Sequence, residues 1–405
     1  MSINIVIPKH ITSIEELIIN SKVLKPFSDV LIEFVNDVSK VILKNNSLKE
    51  YPELMALAFW MRKSHIKVLH EYFNKQTSGK ILLGRGVVFH MAPSNVDTIF
   101  VYSWFISLLV GNSNILRISN KENIQTDILL NIISSVLDNE KYQELQSMVT
   151  IIKYGHDDNI TKKLSSLADV RVIWGGDNTV NHIRSIPIKP TATELTFADK
   201  FSFAVIKSQK LLKDEHLDKL IERFYNDSFW FGQMACSSIR LISWVGTEKE
   251  NEAAKEIFWS KLHSYVLKKN PEEIAPADII NKLVAECSMA IESNIIINKM
   301  DNPYINRISI DSIDEVHEDL HCGTGLFYET EVKSFDELMP LLTKKHQTIA
   351  YYGYTREEMI KNIQENMPIG IDRIVPIGKS LDFSNVWDGF DLFRNFCREI
   401  EILKD

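Results

Sequence analysis

Between residues 85 and 207, short apolar runs alternate with longer amphipathic ones, and this alternation limits the fold more than any other feature of the chain. "GRGVVFHMAP", "SNILRIS", "VTIIKYG" and "VRVIWGG" read as strands. Between them, Asp97 to Gly111, "NIQTDILLNIISSVLD" and "NITKKLSSLA" read as helices. Strands that are apolar on both faces belong in a parallel sheet covered by helices on both sides. Strand–helix alternation of this kind builds a doubly wound sheet that takes ligands at the C-terminal ends of its strands.

The pattern restarts after Lys200. "FSFAVIK" reads as a strand, Leu211 to Phe229 as a helix and "SIRLISWVG" as a strand, followed by helices over Glu248–Lys269 and Pro271–Glu292. Near the end come "GTGLFYETEV", a helix over "SFDELMPLLTKK", the strand "TIAYYGY" and the helix "TREEMIKNIQENM". The first 75 residues show apolar spacings of three and four and read as helices. At 405 residues two domains are expected. The divisions read from the chain are 1–196, helices and a dinucleotide-binding domain; 197–372, an α/β domain carrying a cysteine; and 373–405, a segment that packs back on the core or on a partner subunit.

A net charge of −8 argues against nucleic acid as the partner, because phosphate backbones demand a basic surface. The longest apolar run, Ile99 to Gly111, is too short to span a bilayer, so no membrane span is expected. The N-terminus has no secretory pattern, and four cysteines without framework spacing suit a reducing cytoplasm.

Five stretches carry residues suited to chemistry. Cys236, in "GQMACSSIRL", lies among small residues between a helix and a strand. It is either a buried apolar thiol or a presented nucleophile, with room for an electrophile to reach the sulfur. Asn95, in "HMAPSNVD", either caps the following helix or offers an oxyanion donor. Gly175 and Gly176, in "VIWGGDNTVNHIRS", form either an ordinary strand–helix turn or a place where backbone N–H groups meet a phosphate; the chain contains no GxGxxG fingerprint. Glu194 precedes the first strand of the second half and is either a solvated carboxylate or a general base. His317, His321 and Cys322, in "VHEDLHC", have spacings that could meet a metal, but no HExxH or CxxC supports one, and the expectation is no metal.

In chain order these pieces resemble the aldehyde dehydrogenase superfamily, and specifically its acyl-CoA reductase (LuxC) branch. "APSNVDTIFVYSWFISLLVGNSNILRIS" is similar to that superfamily's Pro-x-Asn turn, buried helix and strand ending on a basic residue, here Arg117. "VIWGGD" is similar to its cofactor loop, "ELTFADK" stands in place of Glu-Leu-Gly-Gly-Lys, and "GQMACSSIRL" matches Gly-Gln-x-x-Cys with the following Arg240. "RIVPIGKSLDFSNVWDGFDL" resembles the acyl-CoA reductase branch itself. The resemblance implies an aldehyde-dehydrogenase-like fold, with a doubly wound nucleotide-binding domain and an α/β catalytic domain. It makes Cys236 the nucleophile, Asn95 an oxyanion donor and Glu194 the hydrolytic base where water is the acceptor. Pro93, Ser94, Gly175, Gly176 and Arg117 fall at cofactor-binding positions. Arg117 stands where a lysine is usual, and its fork geometry favours a 2′-phosphate and so NADPH.

The sequence departs from the superfamily at Ser94 and Val96, where tryptophan and phenylalanine are usual, and at Thr196 and Phe197, where glycines are usual. The reaction implied is reduction of a fatty acyl-CoA or acyl-protein thioester to an aldehyde. An acyl-protein synthetase partner and a homo-oligomer are implied with it. The alternatives are an aldehyde dehydrogenase using Glu194 as base, or a non-catalytic acyl-carrying partner of a reductase complex.

Overall fold

The computed structural model describes residues 3–9, 11, 13, 23–92, 99–121, 123–270, 274–298 and 303–403. The chain divides into two compact units, residues 1–199 with 383–405, and residues 200–382. Residues 373–382 therefore stay with the second unit, because Arg373–Pro376 is a strand of its sheet.

The strands of the first unit are β1 (Asn4–Ile7), β2 (Ile81–Gly84), β3 (Val87–Met91), β4 (Ser113–Ile118), β5 (Val149–Lys153), β6 (Val170–Trp174) and β7 (Thr193–Phe197). Six of them form a sheet in the order β1-β5-β4-β3-β6-β7. β1 runs antiparallel to β5, and the remaining pairings are parallel. From β3 the parallel strands wind outward through β4 and β5, then return to the other side of β3 through β6 and β7. That reversal is the switch point at which doubly wound sheets open a crevice beyond their C-terminal strand ends.

The expected N-terminal helices are present at Asp29–Lys44, Pro52–Trp60 and Lys63–Gln76. The chain nevertheless opens on a strand, β1, in which Ile5 and Ile7 are buried and Asn4 is exposed. Alternation over four residues is too short to outweigh the helical pattern that follows it. The C-terminal strand Cys397–Ile400 pairs antiparallel with β2, and Phe393 packs against Phe27 and Phe73.

The second unit carries β8 (Phe201–Lys207), β9 (Ile239–Val245), β10 (Ile296–Asn298), β11 (Asn306–Ser309), β12 (Leu326–Val332), β13 (His346–Tyr352) and β14 (Arg373–Pro376). Their order is β10-β11-β12-β9-β8-β13-β14, parallel except for β10. Successive residues of one strand serve opposite layers, as the pleat requires. Ala204, Ile206, Ile242 and Trp244 pack with Phe224, Phe258 and Trp259, which come from the helices Leu217–Phe229 and Glu248–Lys269. Phe203, Val205, Leu241 and Tyr328 pack with Met289 of the helix Pro276–Glu292. Each such side chain contributes about 1.5–3 kcal/mol on burial.

One carboxylate lies inside this core. Glu329 is fully buried on β12; Trp244 Nε1 and Trp259 Nε1 donate to its Oε1 at 2.9 and 2.7 Å, and Arg307 Nε donates to Oε2 at 2.8 Å. The segment expected as a helix over "SFDELMPLLTKK" is a 3-10 helix, Phe335–Leu341, because Pro340 lies within it and cannot donate to an α-helical ladder.

Candidate active site

Cys236 sits at the N-terminal edge of the second unit's sheet, in the connection from the helix Leu217–Phe229 to β9. Ligands of doubly wound sheets are expected at the opposite edge, so the sequence pattern alone misplaces this residue. The connection is sharply wound. Phe231, Gly232 and Gln233 all have positive φ, at 55°, 59° and 65°. Consecutive left-handed residues are costly without support, and Gln233 supplies it. Its buried amide donates to the carbonyls of Ile239 and Leu326 at 2.9 and 3.0 Å and accepts the N–H of Gly325 at 2.9 Å. A second left-handed run, Gly323–Thr324–Gly325, clasps the first through the N–H of Thr324 donating to Gly232 O at 3.0 Å. Lys282, buried and pushed down to about 8 by that burial, donates from behind to the carbonyls of Pro303 and Thr324.

Cys236 is the second residue of a turn closed by the N–H of Ser238 donating to Ala235 O at 2.9 Å. Its neighbours Ala235, Ser237 and Ser238 are small and buried. The cysteine itself is half-buried. Ser202 Oγ, on β8, donates to its carbonyl at 2.7 Å, and Gln347 Nε2, on β13, donates to its sulfur at 3.3 Å. β8 and β13 are the two strands at this sheet's own reversal of direction. Arg240 donates to Gln233 O and Met234 O, both at 3.4 Å, on the run leading into the turn. Gln347 was not signalled by the sequence: it lies 111 residues from Cys236 and reads as one polar residue in a strand.

In the first unit, a cavity of about 220 Å³ opens at the C-terminal ends of β3 and β4, lined by Met91, Arg117, Tyr154, Thr161, Asn178 and Thr179 among others. Arg117 donates through one terminal nitrogen to Tyr154 O at 3.2 Å and lies 5.4 Å from the centre of the Tyr154 ring. Its Nε is buried without an acceptor. A partly satisfied guanidinium in a pocket wall fits an anionic or hydroxyl-bearing ligand.

The turn after β6 offers less room. Gly175 and Gly176 do lie between β6 and the helix Asp177–Arg184. The first N–H of that helix, however, already donates to the Asp199 carboxylate at 2.9 Å. The glycines answer to their own chain: a Cβ on Gly175 would come 3.1 Å from Thr179 Cγ2, and one on Gly176 would come 2.9 Å from Asp199 Oδ2. The helix Asp158–Leu167 is likewise capped by the Asp157 side chain.

Glu194 is not placed as a general base. It sits near the start of β7, directly across from Arg171 on β6. Arg171 Nε donates to its Oε2 at 2.7 Å with a second bond from the terminal nitrogen, and Arg184 Nε donates to Oε1 at 3.1 Å. Arg171 is itself fully buried, so Glu194 compensates a charge inside the first unit. Both of its oxygens are thus committed to guanidinium donors.

The proposed metal spacing also resolves into structural bonds. Gly323 N–H donates to His321 Nδ1 at 3.2 Å, so His321 Nε2 carries the proton and donates to Leu326 O at 2.9 Å; burial pulls this ring down to about 3. His317 bonds to Ser293 and Glu292. Among the described residues no three His, Cys, Asp or Glu side chains converge as a metal site. Pro93, Ser94 and Asn95 lie outside the described residues. No helix among the described residues is long and apolar enough to cross a membrane.

Comparison with known proteins agrees with this architecture. Aldehyde dehydrogenase 21 from Physcomitrella patens superposes with a TM-score of 0.65 at 12% identity, covering 92% of this chain and 85% of that one. An NAD-dependent benzaldehyde dehydrogenase from Corynebacterium glutamicum gives 0.64 at 11% identity, covering 93% and 85%. The fold is therefore that of the aldehyde dehydrogenases. In sequence, a long-chain acyl-protein thioester reductase from Photorhabdus luminescens is 22% identical over 318 residues, 77% of this chain and 62% of that protein. One from Aliivibrio fischeri is 24% identical over 165 residues, 40% of this chain and 32% of that protein. The chain thus spans less than two thirds of the length of these relatives. The family model described as acyl-CoA reductase (LuxC) matches residues 64–399, and the chain belongs to that family.

Proposed function

We propose that this protein is a reductase that converts a long-chain fatty acyl thioester to the aldehyde through an acyl group carried on Cys236. The observation that carries the reading is the presented thiol, a half-buried cysteine in a tight turn just after a left-handed run, hydrogen-bonded at both its carbonyl and its sulfur by adjacent strands. An inert packing cysteine needs no such support. The Cys236 sulfur attacks the acyl carbon, a new C–S bond forms, and the carrier leaves with the electron pair of the bond that breaks. The backbone N–H of Cys236 is the proposed holder of the tetrahedral oxygen, where one donor is worth ~100- to 1,000-fold in rate.

NADPH is the proposed cofactor, with Arg117 and the cavity beside Tyr154 holding its adenosine end. When bound, it supplies the hydride that turns the acyl group into an aldehyde. The Asp199 carboxylate must give up the helix N–H before Gly175 and Gly176 can approach a phosphate.

The relatives are named for acyl-protein thioesters, so a protein-bound acyl group is the proposed physiological substrate, with acyl-CoA the soluble equivalent. A synthetase that loads that group, a homo-oligomeric state and a cytoplasmic location belong to the same proposal. Hydrolytic aldehyde oxidation is the weaker reading, because both oxygens of Glu194 are held by arginines.

The test is intact mass after mixing the full chain with palmitoyl-CoA, first alone and then with NADPH. The expected result is one acyl adduct, mapped to Cys236, that disappears as aldehyde forms. Reduction by a Cys236→Ala protein at the wild-type rate would overturn the reading.

A further inference from the structure

We infer that Gln347 is a catalytic residue that holds the Cys236 sulfur as its thiolate, an inference that rests on Cys236 being the nucleophile. Gln347 is fully buried on β13, and its Nε2 donates to Cys236 Sγ at 3.3 Å. Which end of the amide faces the sulfur follows from its surroundings. Thr348 Oγ1 donates to Gln347 Oε1 at 3.3 Å. Ser202 Oγ donates to Cys236 O at 2.7 Å, also lies 3.5 Å from Gln347 Oε1, and accepts the N–H of Thr348 at 3.2 Å. The oxygen end faces two hydroxyls, Thr348 Oγ1 and Ser202 Oγ, and the NH₂ end faces the sulfur.

Two residues on two strands thus hold one cysteine. Ser202 anchors its carbonyl, and Gln347 faces its sulfur with a fixed donor that is already desolvated. A neutral donor stabilises a thiolate over a thiol without a counter-charge, because the hydrogen bond strengthens as charge develops on sulfur.

Charged or titratable side chains on the packed elements include Arg240 on β9, Lys200 ahead of β8, His346 on β13 and Asp372 ahead of β14. Arg240 donates to two carbonyls of the run before the turn, and Lys200 is paired with Asp372. His346 takes the N–H of Thr343, and burial keeps its ring neutral by lowering its pKa.

The experiment compares Gln347→Met, which keeps the length and removes the donor, with Gln347→Glu, which keeps the shape and adds a negative charge. The readout is the pH profile of iodoacetamide alkylation, followed on the Cys236 peptide, in the full chain. Losing a donor to a charged sulfur should raise the midpoint by about 1 to 2 pH units, slowing alkylation at pH 7 about 10- to 100-fold. Gln347→Glu should raise it further. A wild-type midpoint retained in both variants would overturn the assignment of Gln347 alone, provided wild-type Cys236 still accepts an acyl group. A wild-type protein that takes no acyl group would instead overturn the reading of Cys236. Thermal unfolding of each variant identifies any loss due to misfolding, and Ser202→Ala gives a second, independent disturbance of the same cysteine through its carbonyl.

Discussion

The clasp between the two left-handed runs can be broken at one atom. Gly323 has φ +74°, and a Cβ built there would lie 2.3 Å from the carbonyl oxygen of Gly232 and 2.9 Å from Met234 Sδ. Real Cβ atoms do not come within 3.0 Å, so Gly323→Ala must push Gly232 away by at least 0.7 Å. That shift also removes the bond from the N–H of Thr324, now 3.0 Å long. The left-handed backbone costs an alanine ~1–2 kcal/mol, and the displaced contact and lost bond add ~1–2 kcal/mol more.

Gly232 provides the control. It too is left-handed, at φ +59°, but a Cβ there meets nothing within 4 Å. Gly232→Ala should therefore lose only the backbone share, ~1–2 kcal/mol. Function should separate the two further. Gly232 lies four residues before Cys236, and a displacement near 1 Å beside a reacting group can cost ~100-fold in rate. Urea unfolding would measure the first difference and single-turnover acylation of Cys236 the second. Equal losses from both alanines, in stability and in acylation, would refute the claim that the Gly323 contact holds the cysteine turn.

Other consequences are equally specific. Glu329→Ala strands the Arg307 charge and two indole N–H groups inside the second unit and should cost ~3–5 kcal/mol in urea unfolding; a loss under ~1 kcal/mol would show the carboxylate to be dispensable. Burial raises Asp227 to about 6, although the N–H groups of Gly378 and Ser380 donate to it. A carboxyl raised in the folded state binds its proton there more tightly than in the unfolded chain, so its contribution is complete below about pH 4 and is lost as pH climbs through about 6. The total is ~3 kcal/mol, and Asp227→Asn should flatten that part of the stability–pH curve between those limits. Glu194→Gln should lower stability by leaving Arg171 under-compensated while NADPH-driven turnover of the acyl group continues; an acyl-enzyme that accumulates in this variant would restore Glu194 to the chemistry. Arg117→Ser should raise the KM for NADPH ~10- to 100-fold, with NADH nearly unaffected. Equal losses with both cofactors would remove the 2′-phosphate from the account.

Local patterns carried the sequence a long way. Val87–Met91, Val149–Lys153, Val170–Trp174 and Phe201–Lys207 declare themselves as buried strands because a parallel strand under helices is apolar throughout. The helices between them follow from 3.6-residue spacing, and Cys236 stands out through its own neighbours. These features are encoded over a few residues, where periodicity and composition act directly.

What pairs with what was decided only by the tertiary structure. Glu194 looked like a candidate base until the register of β6 and β7 set it opposite Arg171, 23 residues away, with Arg184 beside it. Nothing near Gly175 and Gly176 announces that Asp199 fills the helix terminus they precede. His321 turned from possible metal ligand to buried neutral ring once Gly323 and Leu326 took its two nitrogens. Gln347 reached the Cys236 sulfur only because β13 lies beside β8, on the far side from β9. A side chain's chemistry depends on its charge partners, its donors and its distance from water. Sheet register and strand order set all three, and they are collective properties of the folded chain that no local stretch contains.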